Sequence, residues 1–110
     1  MNIYEYRVLW NEIIRFVDVF RRNPSIEILQ KEPTYDNNVS NAFYAGVVGK
    51  LATEFNLVPP KWIFYKKYFL DNPVFLGGYT GAYNVFLLKD TPLDFKARNI
   101  FIGSNTFDRT

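Results

Sequence analysis

The stretch Ser40 to Asn56, SNAFYAGVVGKLATEFN, limits what this chain can become more than any other. Read at about 100° per residue, it has two apolar sides. One carries Phe43, Tyr44, Val47, Val48, Leu51 and Phe55; the opposite one carries the small residues Ala42, Gly46, Gly49 and Thr53. A helix with large side chains on one side and a small-residue groove on the other is sandwiched between neighbours, not laid on a surface. Each interior glycine costs about 1 kcal/mol against alanine. Close approach of another backbone is the compensation expected. The pattern therefore predicts a buried central helix in a mostly α chain.

The flanking segments supply its neighbours. Ile3 to Arg22 reads as a long amphipathic helix, with Trp10, Ile13, Val17 and Phe20 on the apolar arc and Asn11, Glu12, Arg15 and Arg22 on the polar one. Asn23-Pro24 ends it, since proline disfavours helical geometry in the residue before it. Ser25 to Glu32 fits either one helical turn or a short extended piece. Asn38 or Ser40 is the expected cap of the central helix. Asn56 is expected in the left-handed conformation at its end, with Leu57 packing back and Pro59-Pro60 preventing continuation. Pro60 is placed to begin a short helix reaching Tyr65 or Tyr68. Gly77-Gly78 reads as a breaker, and Thr80 as the cap of a helix over Gly81 to Lys89, with Ala82, Val85, Phe86 and either Leu87 or Leu88 inward, although the same run carries strand-forming residues and fits a strand as an alternative. Thr91-Pro92-Leu93-Asp94 is a helix start, with a capping hydroxyl, proline at the first position and an acid at the third. That helix ends near Arg98-Asn99, and Ile100 to Gly103 looks extended. The expected fold class is thus mostly α: a single-domain helical bundle over residues 1–110, with a long N-terminal helix, a buried central helix and shorter C-terminal helices.

The chain contains neither cysteine nor histidine. That removes thiol nucleophiles, the imidazole base and nearly all transition-metal sites. No catalytic residue, cofactor or metal site is expected. Asp90 and Asp94 are four residues apart, but capping and the helix dipole account for Asp94. GGYTGA at Gly77 to Ala82 lacks the spacing of a phosphate-binding loop. No apolar run is long enough to span a bilayer, and the N-terminus has no signal-peptide pattern, so the cytoplasm is the expected compartment.

Charge is unevenly divided. Residues 1–55 carry six basic and seven acidic groups, and residues 56–110 carry seven basic and four acidic groups. The basic half includes Lys61, Lys66 and Lys67 interleaved with Trp62, Phe64, Tyr65 and Tyr68. Cations beside stacking aromatics can hold single-stranded nucleic acid. Lysines whose stems border an apolar patch are the commoner arrangement. Segment 61–70 has too many apolar groups for one face of so short a piece, so some should meet a partner, and a homodimer is one way to cover them.

Pro60 and Trp62 in LATEFNLVPPKW, Leu70, Pro73 and Phe75 in LDNPVF, and Pro92, Phe95, Arg98, Asn99 and Phe101 in TPLDFKARNIF form an ordered set. Over residues 40–110 this set resembles a bacterial family of helical domains found behind helix-turn-helix modules in Xre-type antitoxin-like regulators. Relatives are frequently encoded beside nucleotidyltransferase-fold proteins in toxin–antitoxin-type loci. The resemblance implies a non-enzymatic, antitoxin-like subunit that binds a protein partner, a nucleotidyltransferase-like toxin. Residues 1–38 are too few and too continuous for a helix-turn-helix module, so nucleic acid is not an expected partner of this chain by itself. The alternative is a small nucleic-acid-binding protein using segment 61–70. The expected partner-binding residues are Trp62, Tyr65, Lys66, Tyr68, Phe69, Arg98 and Phe101. Arg98 divides the readings: it is either a buried clamp tying the last helix to the central layer or an exposed group reaching a partner's acid or phosphate.

Overall fold

The central helix, α3, runs over Asn38–Glu54 in a computed structural model that describes residues 3–35, 37–75, 87–104 and 106–107. Its cap is one residue earlier than expected. Asn37 has extended backbone, and its side-chain oxygen accepts the Ser40 backbone N–H at 3.1 Å. Asn38 and Ser40 instead lie inside the first turn. The other end closes as the sequence predicts. Asn56 has φ 55, the Leu57 N–H reaches the Ala52 carbonyl at 2.8 Å and the Asn56 N–H the Thr53 carbonyl at 3.3 Å. This paired closure satisfies carbonyls that a helix end leaves open, and Leu57 packs back on the core.

The remaining elements are α1 (Ile3–Arg22), α2 (Ile26–Leu29), two 3₁₀ turns (Lys61–Phe64 and Lys66–Tyr68), β1 (Val74–Phe75), α4 (Leu93–Lys96) and β2 (Ile100–Phe101). Residues 87–90 are also helical. The structure is mostly helical, and two short strands among the described residues form a small sheet. β1 and β2 pair in parallel, Val74 opposite Ile100 and Phe75 opposite Phe101. The ambiguous Ser25–Glu32 stretch resolves to one helical turn that buries Leu29 and exposes Ile26 and Ile28. Pro60 precedes a 3₁₀ turn, not an α-helix. Of the two leucines left open, Leu87 is buried and Leu88 exposed. The expected breaker at Gly77-Gly78, the Thr80 cap and the inward Ala82, Val85 and Phe86 lie outside the described residues.

α3 is buried on both sides. On its large side, Phe43 stacks with Trp10 of α1 at 5.8 Å between centroids, and it packs on Phe95 at 5.5 Å and Phe107 at 6.0 Å. Tyr44 meets Phe16 edge-on at 5.2 Å and stacks on Trp62 at 5.9 Å. Two adjacent aromatics, about 100° apart on the helix, thus gather different sets of rings. At the C-terminal end, Arg21 of α1 forks onto Glu54 of α3, with Nε and Nη2 donating at 3.1 and 3.0 Å, while its Nη1 donates to the Phe107 carbonyl.

The small side receives α4. A Cβ placed on Gly46 would lie 2.6 Å from Cδ1 of Phe95 and 3.3 Å from the Asp94 backbone oxygen; one on Gly49 would lie 2.7 Å from Oδ1 of Asp94. Both glycines are therefore occupied by the same short helix. What presses closest is a ring and a carboxylate, with the expected backbone approach just behind them.

The two glycines should differ in a measurable way. Phe95 is fully buried, so its ring cannot yield, whereas the Asp94 carboxylate ends a rotatable side chain. Gly46→Ala is expected to lower stability by about 1–3 kcal/mol through overpacking. Gly49→Ala is expected to be near neutral, because the helix-propensity gain of about 1 kcal/mol offsets the rotation of Asp94. Chemical denaturation of both variants checks this; equal losses would mean that Asp94 is as immobile as Phe95.

Candidate interaction surface

The segment from Lys61 to Tyr68 is fastened to the interior by Trp62, Ile63 and Tyr68. In a 3₁₀ turn, residues three apart share a side. Lys61 and Phe64 accordingly point to solvent while Trp62 and Ile63 are buried. The Trp62 indole N–H donates to the Leu29 carbonyl at 2.9 Å, so its polar atom is satisfied inside and the ring can stay on Tyr44. Tyr68 closes the second turn. Its ring meets Trp62 edge-on at 5.3 Å and its hydroxyl donates to Oε2 of Glu32 at 2.6 Å.

This leaves Lys61, Phe64, Tyr65, Lys66 and Lys67 exposed in one short run, with Phe64 60% and Tyr65 47% accessible. Lys67 is partly engaged. Its Nζ lies 3.5 Å from Glu32 and 5.2 Å from the centre of the Tyr68 ring. The Tyr68 hydrogen bond draws the Glu32 carboxyl below its ordinary value; burial opposes it, and Lys67 adds to the lowering. Burial and the same hydrogen bond push the Tyr68 phenol up to about 12.

Arg98 is a clamp. It is only 3% exposed. Nη1 donates to the Asp94 carbonyl at 2.8 Å and Nη2 to the Ile63 carbonyl at 2.6 Å, and the guanidinium lies 4.6 Å over the half-buried Phe69 ring. It therefore joins α4 to the Lys61–Phe64 turn, and both elements border Gly49: a Cβ placed there would lie 2.7 Å from Oδ1 of Asp94 and 3.4 Å from Cδ1 of Ile63. Its own backbone and its neighbour's continue the join: the Arg98 carbonyl accepts the Leu70 N–H at 3.3 Å, and the Asn99 side chain donates to the Leu70 carbonyl at 2.7 Å. Asn99 takes φ 64 there, a conformation that asparagine tolerates better than most residues.

Among the seven residues expected at a partner surface, only Tyr65 and Lys66 stand exposed. Trp62, Tyr68 and Arg98 are interior anchors, Phe69 is half-buried under Arg98, and Phe101 is buried and stacked on Phe75 at 5.0 Å. Trp62 is therefore corrected from the patch to the core, because its N–H finds a buried carbonyl. Phe64, Lys61 and Lys67 complete the exposed run. The three-residue period would have singled out Phe64 had the segment been read as 3₁₀.

Asp90 and Asp94 do not act as a pair. Asp90 accepts the Ser104 backbone N–H at 2.8 Å and its hydroxyl at 2.9 Å. Thr91 does not cap α4 as expected. Its hydroxyl bonds the Leu87 carbonyl at 2.6 Å and the Ile102 backbone oxygen and nitrogen at 2.9 and 3.1 Å, fastening the helical residues 87–90 to the strand end. Burial pushes the Asp94 carboxyl up from its ordinary value, with Arg98 and Lys50 pulling the other way. No group of three or more acidic side chains placed to hold a metal is found among the described residues, and no helix among them is long and apolar enough to cross a membrane. Comparison with protein-family models, with curated proteins and with solved structures finds no match to the chain.

Two outcomes check this geometry. Arg98→Ala should lower stability by about 2–4 kcal/mol, because two buried carbonyls lose a charged donor. Arg98→Lys should also lose stability, since a single ammonium cannot reproduce the fork. A melt of Arg98→Ala that matches the parent would sink the clamp. For Asp94, a raised folded-state value means that the stability it contributes is complete below the unfolded carboxyl value and is lost as pH rises through the folded one. Asp94→Asn, which keeps the shape over Gly49, should therefore melt higher than the parent at neutral pH. The gap should close in acid, as followed by thermal melts across pH.

Proposed function

We propose that this chain is a non-enzymatic protein-binding subunit, an antitoxin-like or regulatory component of a bacterial toxin–antitoxin-type locus that acts in the cytoplasm as a small helical bundle. Its partner is a nucleotidyltransferase-fold protein. The observation that carries the binding role is the pair Phe64 and Tyr65, 60% and 47% exposed on a segment that Trp62, Ile63 and Tyr68 anchor inside. Aromatics presented on a rigid backbone make interface anchors, because little conformational freedom is lost when a partner covers them. The ordered residues from Pro60 to Phe101 that resemble the antitoxin-like family support the choice of partner. The lack of histidine and cysteine supports a role without nucleophilic or imidazole chemistry.

A second reading, contact with nucleic acid through the same segment, draws on the exposed Lys61, Lys66 and Lys67. Such binding would be non-specific and steeply weakened by salt. The deciding experiment is affinity capture of the tagged chain from its native host, beside a Phe64→Ser/Tyr65→Ser variant. The parent should retain a nucleotidyltransferase-fold protein. The variant should lose it with an unchanged melting temperature, since both residues are exposed. Capture of nucleic acid alone, or a variant that retains the partner equally well, overturns the proposal.

A further inference from the structure

We infer that the partner element seated on this surface is an acidic protein segment carrying an apolar side chain, read by Lys61 and Lys66 around Phe64. The inference deepens, and rests on, the reading that the Lys61–Lys67 surface takes a protein. From Phe55 to Leu70 the sequence contains three lysines and no acid. The lysines are not equivalent. Lys67 is held to Glu32 at 3.5 Å and lies against the Tyr65 and Tyr68 rings at 6.0 and 5.2 Å. The side chains of Lys61 and Lys66 make no hydrogen bond or ion pair among the described residues and stand exposed. Two uncompensated cations thus flank an aromatic that is 60% exposed. Lys61 also shares the side of its turn with Phe64. Complementary charge at such a rim selects and steers a partner, while the apolar centre supplies contact area.

The apolar part extends beyond the turn. Asp94 and Ile63 meet over Gly49, and Arg98 bonds both their carbonyls. Leu93, 76% exposed, is therefore carried on the element adjoining the one that carries Phe64. A polyanion fits less well. Tyr65 already has Tyr68 stacked on it at 6.4 Å and Lys67 against it. Glu32 holds Lys67 at the edge of the surface at 3.5 Å. A phosphate chain is left with two cations and one ring, Phe64, to stack on, whereas a protein can direct its carboxylates to Lys61 and Lys66 and cover Phe64 with an apolar side chain.

The test is an NMR titration of the isotopically labelled full chain with three probes: a short peptide of Glu with Leu and Phe, the same peptide with Gln for every Glu, and oligothymidylate. The acidic peptide is expected to move the amide signals of residues 61–67 and of Leu93. Lys61→Glu/Lys66→Glu should weaken it at least about tenfold, or 1.4 kcal/mol, and Lys67→Gln much less. Since both lysines are exposed, an unchanged circular dichroism melt shows that the double variant is folded. If the Gln peptide binds the same residues equally well, the acidic requirement falls and the protein-binding reading survives. If oligothymidylate is preferred, both fall. Signals that move elsewhere, or with none of the probes, or that shift with chain concentration alone as a second copy covers the surface, overturn the inference.

Discussion

The structure depends on the seating of one short helix in a glycine groove. α4 has few residues and could not hold itself together in water, because helix nucleation is unfavourable and so few bonds follow it. It exists because Gly46 lets the Phe95 ring approach α3 to a distance that a methyl group would forbid, while at Gly49 the neighbour is the rotatable Asp94 carboxylate. Arg98 locks the arrangement by donating to carbonyls on both α4 and the preceding 3₁₀ turn. The helix-propensity cost of two glycines is thereby offset by dense packing around a fully buried phenylalanine.

The aromatic content is the other half of the same solution. Phe43 and Tyr44 are sequence neighbours, yet they organise different groups of rings: Trp10, Phe95 and Phe107 around one, Phe16, Tyr35 and Trp62 around the other. Large flat side chains bury much area per residue. That suits a short chain, whose surface is large relative to its volume. Polar tips are handled individually, the Trp62 N–H by Leu29 and the Tyr68 hydroxyl by Glu32, so the rings can be buried without stranding a donor.

The outer surface follows from these interior bonds. Once Trp62, Ile63 and Tyr68 are anchored, the geometry of tight turns leaves Phe64 and Tyr65 outside with the lysines. The exposed aromatics are thus a consequence of how the segment is fastened.

Local sequence determined the parts whose physics is local. The span of α1, the two-sided burial of α3, the left-handed Asn56 and the extended Ile100-Phe101 follow from periodicity, proline and asparagine chemistry within a few residues. The burial of Arg98 was also legible as one of two outcomes, since an arginine beside a helix end has carbonyls within reach. What tertiary structure decided were the choices between equivalent local partners. Asn37 capped α3 where Asn38 and Ser40 were also eligible. Thr91 turned from its own helix to the Leu87 and Ile102 carbonyls. Trp62 went inward because Leu29, remote in sequence, offered a buried carbonyl. A segment rich in aromatics announces that some rings must be exposed, but which ones depends on acceptors supplied by other elements, and no local pattern encodes those.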